Sequence, residues 1–474
     1  MHRHVLRRTA AFTTAALIAA AFSLLSGVTP AAADTTGPVI TLRKPATVAV
    51  PTGAATGVAG TVQAALQFTT DASSVATQVT LTIDAQKLAQ IADVTFSDNC
   101  TVTNSVATCQ EYFYDDNPTG GGLGGVTELT IAARPGVTPG AAASYTVTGT
   151  ATAGTFVGGS GSVQIGGPAF DLAQPTQHTG LPVGSTVSEP VEFTNTGDRP
   201  AAAAQVLLMA SPGLTFAQHF ANCTYSSVPD DVSAEDALCT FAQPIQVGER
   251  AALATAVQLN VTSAAYYTYL DTLTAPKGDA FLQQMQAGRT WTQGTGSKLR
   301  LDVLDPGTPS TAPAGKVSLP FADGSNDYRI TALQAANTAD FSVSGATAQA
   351  AQGDTVQLDF SMTNTGPATI FYRSGEPIGV TVVPPPGTTI VGSSANCRPQ
   401  TVDDPQTTAH GPYACSESYL VPAGRTAQFS LTVRVDQVVP GAQGSVAMAW
   451  SPDASWRPPF DPNAADDSAA LTLN

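Results

Sequence analysis

At 474 residues, with Lys+Arg 20 against Asp+Glu 36 and a formal net charge of −16, the chain is long enough for roughly three domains. It is too acidic to attract nucleic acid or anionic lipid, whose phosphates call for clustered Lys and Arg. Its six cysteines then divide two per domain.

Residues 1–33 read as an export signal: a basic start with Arg3, Arg7 and Arg8, an apolar run from Ala15 to Leu25, and the small residues Ala31-Ala32-Ala33 as a cleavage site. The apolar run is short of the ~20 residues that cross a bilayer, so no integral membrane anchor is expected. Arg7-Arg8 with Phe12 fits twin-arginine export, but disulfides form more simply after unfolded export by the general route. Mature protein from Asp34 onward has no cysteine before Cys100 to accept lipid, and the ending Ala469-Ala470-Leu471-Thr472-Leu473-Asn474 carries neither a sorting motif nor an apolar anchor. The expected location is therefore secreted and extracellular, with at most noncovalent association with a cell wall.

Beyond the signal, alternation of apolar and polar residues marks half-buried antiparallel strands. The first unit, 34–166, shows it at Leu66 and Phe68, at Val79, Leu81 and Ile83, and later at Leu129, Ile131, Tyr145 and Val147. The second, 167–336, shows it at Val187, Val191 and Phe193, then at Leu253, Val257, Leu259 and Val261. Within this unit Asp279 is placed to N-cap a short helix carrying Phe281, Leu282 and Met285 on one face and closed by Gly288. A polar turn at Gln293-Gly294-Thr295-Gly296, a strand-like Leu299 to Val303 and a Pro/Thr/Ser-rich connector from Pro306 to Gly315 follow. The third unit, 337–474, has the clearest pattern, at Val356, Leu358, Phe360 and Met362 and again at Phe429, Leu431, Val433 and Val435.

Each unit carries an Asn-Cys pair with a second cysteine downstream: Cys100 and Cys109, Cys223 and Cys239, Cys397 and Cys415. The last two copies keep register, since Cys223 follows Gly213 by ten residues as Cys397 follows Gly387, and Gly248 follows Cys239 by nine as Gly424 follows Cys415. The spacings are not those of zinc motifs and an exported chain favours oxidation, so one disulfide within each unit is expected. In register too are Phe193-Thr194-Asn195-Thr196-Gly197 and Met362-Thr363-Asn364-Thr365-Gly366, with a degraded Phe68-Thr69-Thr70-Asp71 in the first unit. An Asn-x-Gly after a strand reads as a reversal, because Asn and Gly tolerate positive φ. Pro212-Gly213 and Pro386-Gly387 mark the next turn.

These Asn-Thr-Gly and Pro-Gly turns, with the closing Asp461-Pro462-Asn463-Ala464-Ala465-Asp466-Asp467-Ser468-Ala469 before a terminal strand, resemble the bacterial surface repeat catalogued as the eleventh domain of unknown function. Asp466-Asp467 departs from the paired Asn found there in many members. The match covers units two and three well and unit one poorly. The resemblance implies an all-β chain of three tandem immunoglobulin-like β-sandwiches, with the short helix as an elaboration of the second. It also implies export from high-GC Gram-positive bacteria and display or adhesion outside the cell, with no activity attached to the repeat itself.

Residues that could carry chemistry have plainer structural readings. Asp115-Asp116, Asp230-Asp231 and Asp403-Asp404 lack the alternating ligands of a calcium loop, which needs about six to eight oxygens, so they read as solvated turn acids and no metal is assigned. Gly120-x-Gly122-x-x-Gly125 matches a dinucleotide fingerprint in letters, but that motif works only between a parallel strand and a helix N-terminus, and here it follows Asn117-Pro118 among strands. His178, His219 and His410 have no nucleophile elbow nearby, and Ser160 in Gly158-Gly159-Ser160-Gly161-Ser162 lacks the glycine two residues on. No catalytic residue and no cofactor are therefore assigned. Tyr112-Phe113-Tyr114, Tyr266-Tyr267-Thr268-Tyr269, Trp291 and Trp456 offer faces that could stack on sugar rings, although large aromatics are usually buried; Trp456 and Trp291 are the ligand-facing candidates, while Trp450 continues the alternation of Val446 and Met448 into the core. The expected function is a non-enzymatic structural or adhesion-type protein whose partner is a surface protein or polysaccharide, the alternative being a carbohydrate-binding array.

Overall fold

A computed structural model of the chain describes residues 37–474 apart from 44, 46, 54, 56, 72–74, 116–121, 124–126, 228–232, 287–288, 321–326, 402–403 and 451–456. The alternating segments form strands whose apolar residues are buried in turn. Val75–Asp84 buries Val75, Thr77, Val79, Leu81 and Ile83; Thr355–Asn364 pairs antiparallel with Thr426–Val435 and sends Leu358, Phe360, Phe429 and Leu431 into one core.

The strands sort into three sets, and no described strand of one set pairs with a strand of another. Between Val39 and Ile165 lie sheets of four, three and six strands; between Phe170 and Ala336, four, seven and three; between Phe341 and Leu473, four, six and two. Each set closes around its own apolar cluster, centred on Phe68, Leu81 and Tyr145, on Phe193, Val206 and Leu259, and on Phe360, Val380 and Leu431. The molecule is thus three immunoglobulin-like β-sandwiches in tandem, in which facing sheets interdigitate their inward residues.

One topological detail recurs in all three. The opening stretch of each unit first pairs antiparallel in one sheet and then crosses to pair parallel with a late strand of the other. Val39–Leu42 lies against Phe68–Thr70 before Val48–Val50 joins Gly159–Ile165. Phe170–Leu172 lies against Glu192–Asn195 before His178–Pro182 joins Tyr328–Ala336, and Phe341–Ser344 lies against Thr355–Asn364 before Ala346–Ala348 joins Ser468–Leu473. Unit one therefore shares the architecture although its turn signature is degraded.

The Asn-Thr-Gly segments play a part different from the reversal expected of them. Neither Asn195 nor Asn364 has positive φ; both are fully buried. Asn195 accepts from the amide of Gly197 at 3.1 Å and from that of Ala169 at 3.2 Å, and donates to the carbonyls of Arg199 at 3.0 Å and Ile245 at 3.2 Å. Asn364 accepts from Gly366 at 3.2 Å and donates to Ala368 at 2.9 Å and Val421 at 3.1 Å. The asparagine thus ties together chain segments that would otherwise bury unpaired backbone groups. The glycine two residues on is fixed by contact rather than by dihedral: a Cβ on Gly366 would lie 2.2 Å from the Asp340 nitrogen, and one on Gly197 2.4 Å from the Gly167 oxygen. Gly213 and Gly387, by contrast, have φ of 100° and 81°, as the Pro-Gly turns require.

The three disulfides form within their units as Cys100–Cys109, Cys223–Cys239 and Cys397–Cys415. Antibody domains bridge their two sheets; here each bond joins residues directly opposite on neighbouring antiparallel strands of one sheet. The Asn of each Asn-Cys pair accepts, through its backbone carbonyl, from the amide of the residue after the second cysteine, Gln110, Thr240 or Ser416. Asn99 and Asn222 add side-chain donations to the carbonyls of Gln110 and Thr240.

Among the described residues, two short α-helices interrupt the strands. Ala280–Gln286 begins where Asp279 accepts from the amides of Phe281 at 2.9 Å and Leu282 at 3.3 Å. It lays Leu282, with Met285 beside it, over the outer side of the seven-stranded sheet against Leu207, Leu238 and Leu273. Phe281, expected on that same face, is 44% exposed, because the helix is under two turns long and contacts the sheet along one narrow line. The second helix, Pro405–His410, lies inside the loop closed by Cys397 and Cys415 and was not expected; Asp404 caps it by accepting from Gln406 at 3.0 Å, with Pro405 in the first turn.

Candidate functional site

Among the described residues, no group of three or more His, Cys, Asp or Glu is arranged to hold a metal ion. Of the paired acids, Asp404 is a helix cap, while Asp116, Asp230, Asp231 and Asp403 lie outside the described residues. Gly122 sits in the two-residue strand Gly122–Leu123, and Gly120 and Gly125 lie outside the description. Ser160 is an exposed position of strand Gly159–Ile165. The histidines scatter. His410 contacts the Thr388 carbonyl at 3.0 Å, His219 meets Glu235 at 2.8 Å, and His178 meets Glu189 at 2.7 Å. Burial pushes the Glu189 carboxyl up to about 7. No two of these histidines share a partner, and none faces a hydroxyl nucleophile in the hydrogen bonds described.

What the fold does bring together is the pair of joints between units. At the joint of units two and three, Arg373 reaches back from the third unit and donates from Nη1 to both carboxylate oxygens of Asp271, at 2.9 and 2.8 Å, and from Nη2 to the Tyr328 hydroxyl at 2.6 Å. Its guanidinium also lies over the Tyr269 ring, 5.4 Å from the centroid. Burial raises the Asp271 carboxyl while Arg373 opposes that rise. Backbone ties flank the pair, from the Thr369 amide to the Ala264 carbonyl at 2.9 Å and from Asn337 Nδ2 to the carbonyls of Ser263 and Ala265, both at 2.8 Å. The aromatic run Tyr266-Tyr267-Thr268-Tyr269 supplies the packing: Tyr266 belongs to the core of unit three, with its ring 5.5 Å from Phe460, and Tyr269 meets Phe371 at 6.3 Å.

The joint of units one and two is held by two consecutive residues. Asp198 accepts from the Thr52 amide and hydroxyl, both at 2.7 Å, through one oxygen and from the Gly167 amide at 2.7 Å through the other. Arg199, 3% exposed, donates to the carbonyls of Gly166, Pro313 and Ala314. The connector expected at 306–315 is thereby drawn into the joint. It runs along unit two, where Gly315 donates to Pro200, and then reaches unit one, where Ala59 donates to Pro320 and Leu319 packs with Ala49 and Ala169.

No family model matches the chain, and no curated protein matches it. Comparison with solved structures returns tandem immunoglobulin-type chains. The titin I-band fragment I67-I69 is 9% identical, covering 93% of this chain and 98% of that one, with a TM-score of 0.19. The complex of Dpr2 Ig1-Ig2 with DIP-Theta Ig1-Ig3 is 9% identical over 92% of this chain and 99% of that one, at 0.18. A type II cohesin dyad from the ScaA scaffoldin of Acetivibrio cellulolyticus is 8% identical over 55% of this chain and 93% of that one, also at 0.18. At such scores the likeness carries no argument about function; the sandwiches are defined by their own sheets and cores.

The two ligand-facing tryptophans fare differently. Trp291 is half-buried, packed with the Leu207 and Leu282 cluster, and donates from its indole nitrogen to the Gln286 carbonyl at 3.2 Å. Trp456 lies outside the described residues. Trp450 meets Phe341 and Phe460 edge-on at 5.4 and 5.7 Å. In the first aromatic run the alternation of the strand separates neighbours, burying Phe113 and leaving Tyr112 68% exposed. Tyr112 is the surface feature that sequence alone could not distinguish from its neighbours.

Proposed function

We propose that this chain is an exported, non-enzymatic, adhesion-type spacer of the cell surface or extracellular space, in which three sandwiches hold a fixed relative orientation, and that it belongs with the bacterial surface repeats of the eleventh domain of unknown function. The observation that carries the reading is the construction of the joints. A flexible linker would leave its polar groups to water, whereas the buried Arg199 and the partly buried Arg373, Asp271 and Asp198 commit their charges to orienting neighbouring units. The recurrence of the buried Asn hub at Asn195 and Asn364 supports the family reading.

Small-angle scattering from residues 34–474 tests the rigid arrangement. One fixed conformation is expected to account for the wild-type curve, and a curve that needs a broad ensemble of angles between units would overturn the spacer reading. A second reading, a carbohydrate-binding array, is favoured by the exposed ring of Tyr112.

A further inference from the structure

The six-stranded sheet of unit one has an outer side unlike that of the seven-stranded sheet of unit two. In unit two the corresponding side is apolar and covered by the helix Ala280–Gln286. In unit one no described helix covers it, and its register places threonines in line. Thr148 of strand Ala142–Ala151 is opposite Thr82 of Val75–Asp84; Thr82 is opposite Thr108 of Val106–Asp115, and Thr108 is opposite Thr101 of Cys100–Thr103. A single row thus crosses four strands with one hydroxyl every ~4.8 Å, the spacing of neighbouring strands. Two residues along, Thr150, Thr80 and Gln110 form the next row, in which Thr80 donates to Gln110 Oε1 at 3.1 Å. One row further, Tyr112 stands opposite Gln78.

We propose that this side of unit one is a docking face for an uncharged polysaccharide, with Tyr112 as the stacking platform and the threonine rows as the hydroxyl-matching surface; the inference rests on the carbohydrate-binding reading given above and names its site. The argument is one of chemical match. The chain carries a net charge of −16, yet these three rows contain no charged side chain, and the nearest acid in register is Asp84, one row beyond Thr82. Within the rows an ionic partner would find nothing to pair with, and at their border only Asp84. A protein partner would be expected to meet a core of anchoring apolar residues, and the rows supply one aromatic ring amid hydroxyls and amides. Sugar rings want that combination: an apolar ring face to cover and neutral donors and acceptors around its rim. Exposed threonines are common on strands. What sets this face apart is the coincidence of the uncharged rows with a 68% exposed tyrosine.

The test uses the mature chain from Asp34 and measures the fraction retained on amorphous cellulose and on chitin at low and high salt, for wild type, Tyr112→Ala, Tyr112→Phe, Thr108→Lys and, as a control on unit three, Ser445→Lys. Wild type, Tyr112→Phe and Ser445→Lys should bind at least one polymer independently of salt, while Tyr112→Ala and Thr108→Lys lose about tenfold in affinity, the equivalent of one lost stacking contact. Unchanged thermal unfolding shows that the fold is intact. Were Tyr112→Ala to unfold, Thr108→Lys alone decides, since a lysine at an exposed strand position leaves the core untouched. Retention on either polymer that survives both variants overturns the assignment of the face while leaving a carbohydrate-binding array standing. Absence of retention on both polymers overturns the proposal together with that reading, and leaves the spacer reading to scattering.

Discussion

Asn364 makes three hydrogen bonds from a fully buried position, so truncating it strands two carbonyls and one amide away from water. Asn364→Ala is expected to cost about 2–3 kcal/mol in urea unfolding, and Asn195→Ala a similar amount in unit two; a loss below about 0.5 kcal/mol would show that water replaces the hub. Glu189 gives the molecule a signature in pH. Its carboxyl sits at about 7 in the fold against an ordinary value of 4.5, so the folded state holds a proton that the unfolded chain releases. That contribution is fully present below about 4.5 and is lost as pH rises through about 7. Stability is therefore expected to fall over this interval and Glu189→Gln to flatten the fall, measured as thermal midpoints at several pH values; parallel curves for the two proteins would refute it.

At the scale of elements, the disulfides pin hairpins rather than sheets. Each closes a short loop, with separations of 9, 16 and 18 residues, and in the loop-entropy picture the two longer ones contribute about 3 kcal/mol each by restricting the unfolded chain. Replacing Cys223 and Cys239 together by Ala should lower the stability of unit two by that order in denaturant titration while leaving its circular dichroism unchanged; loss of the β signal would instead assign the bond a role in forming the sheet. Strand positions, the pairing of cysteines and the helix after Asp279 were legible because alternation, paired spacing and capping residues are local signals. The Asn-Thr-Gly segment is legible as a landmark but not as a mechanism: Gly366 and Ala368 are local partners of Asn364, whereas Val421, 57 residues on, meets it only in the fold, so a buried hub looks like a simple turn when only neighbours are considered. The helix Pro405–His410 was hidden for a related reason, since six residues are too few to show a helical period and its cap, Asp404, stood beside a second acid that suggested solvent. Tyr112 and Phe113 look alike as neighbours in one aromatic run, although a strand must send them to opposite sides.

For the whole molecule, the joints decide behaviour. Arg373 neutralises Asp271 in a place where burial alone would raise the carboxyl, so Arg373→Ala leaves a carboxylate buried between units and is expected to cost about 3–5 kcal/mol. It should also broaden the distribution of angles between units two and three seen by scattering. Arg373→Met tests whether charge or packing matters, because it fills the space and leaves Asp271 unpaired; scattering like that of wild type in both variants would show that the aromatic contacts of Tyr266 and Phe460 hold the joint by themselves. The titratable groups at this joint, with Arg373 between Asp271 and Tyr328, tie the orientation of the last unit to a partly buried charge pair that salt screens less than an exposed one.

The path of the connector has a temporal consequence. Thr52 and Ala59 belong to the first unit, yet the carbonyl that Ala59 bonds is that of Pro320, and Arg199 is held by Pro313 and Ala314. A chain that emerges from its N-terminus first has Thr52, Gly167, Asp198 and Arg199 in hand long before residues 313–320 arrive, so the first joint is assembled in two stages. The bonds of residues 313–320 to Arg199 and Ala59 are the last to become possible, and they complete the seam.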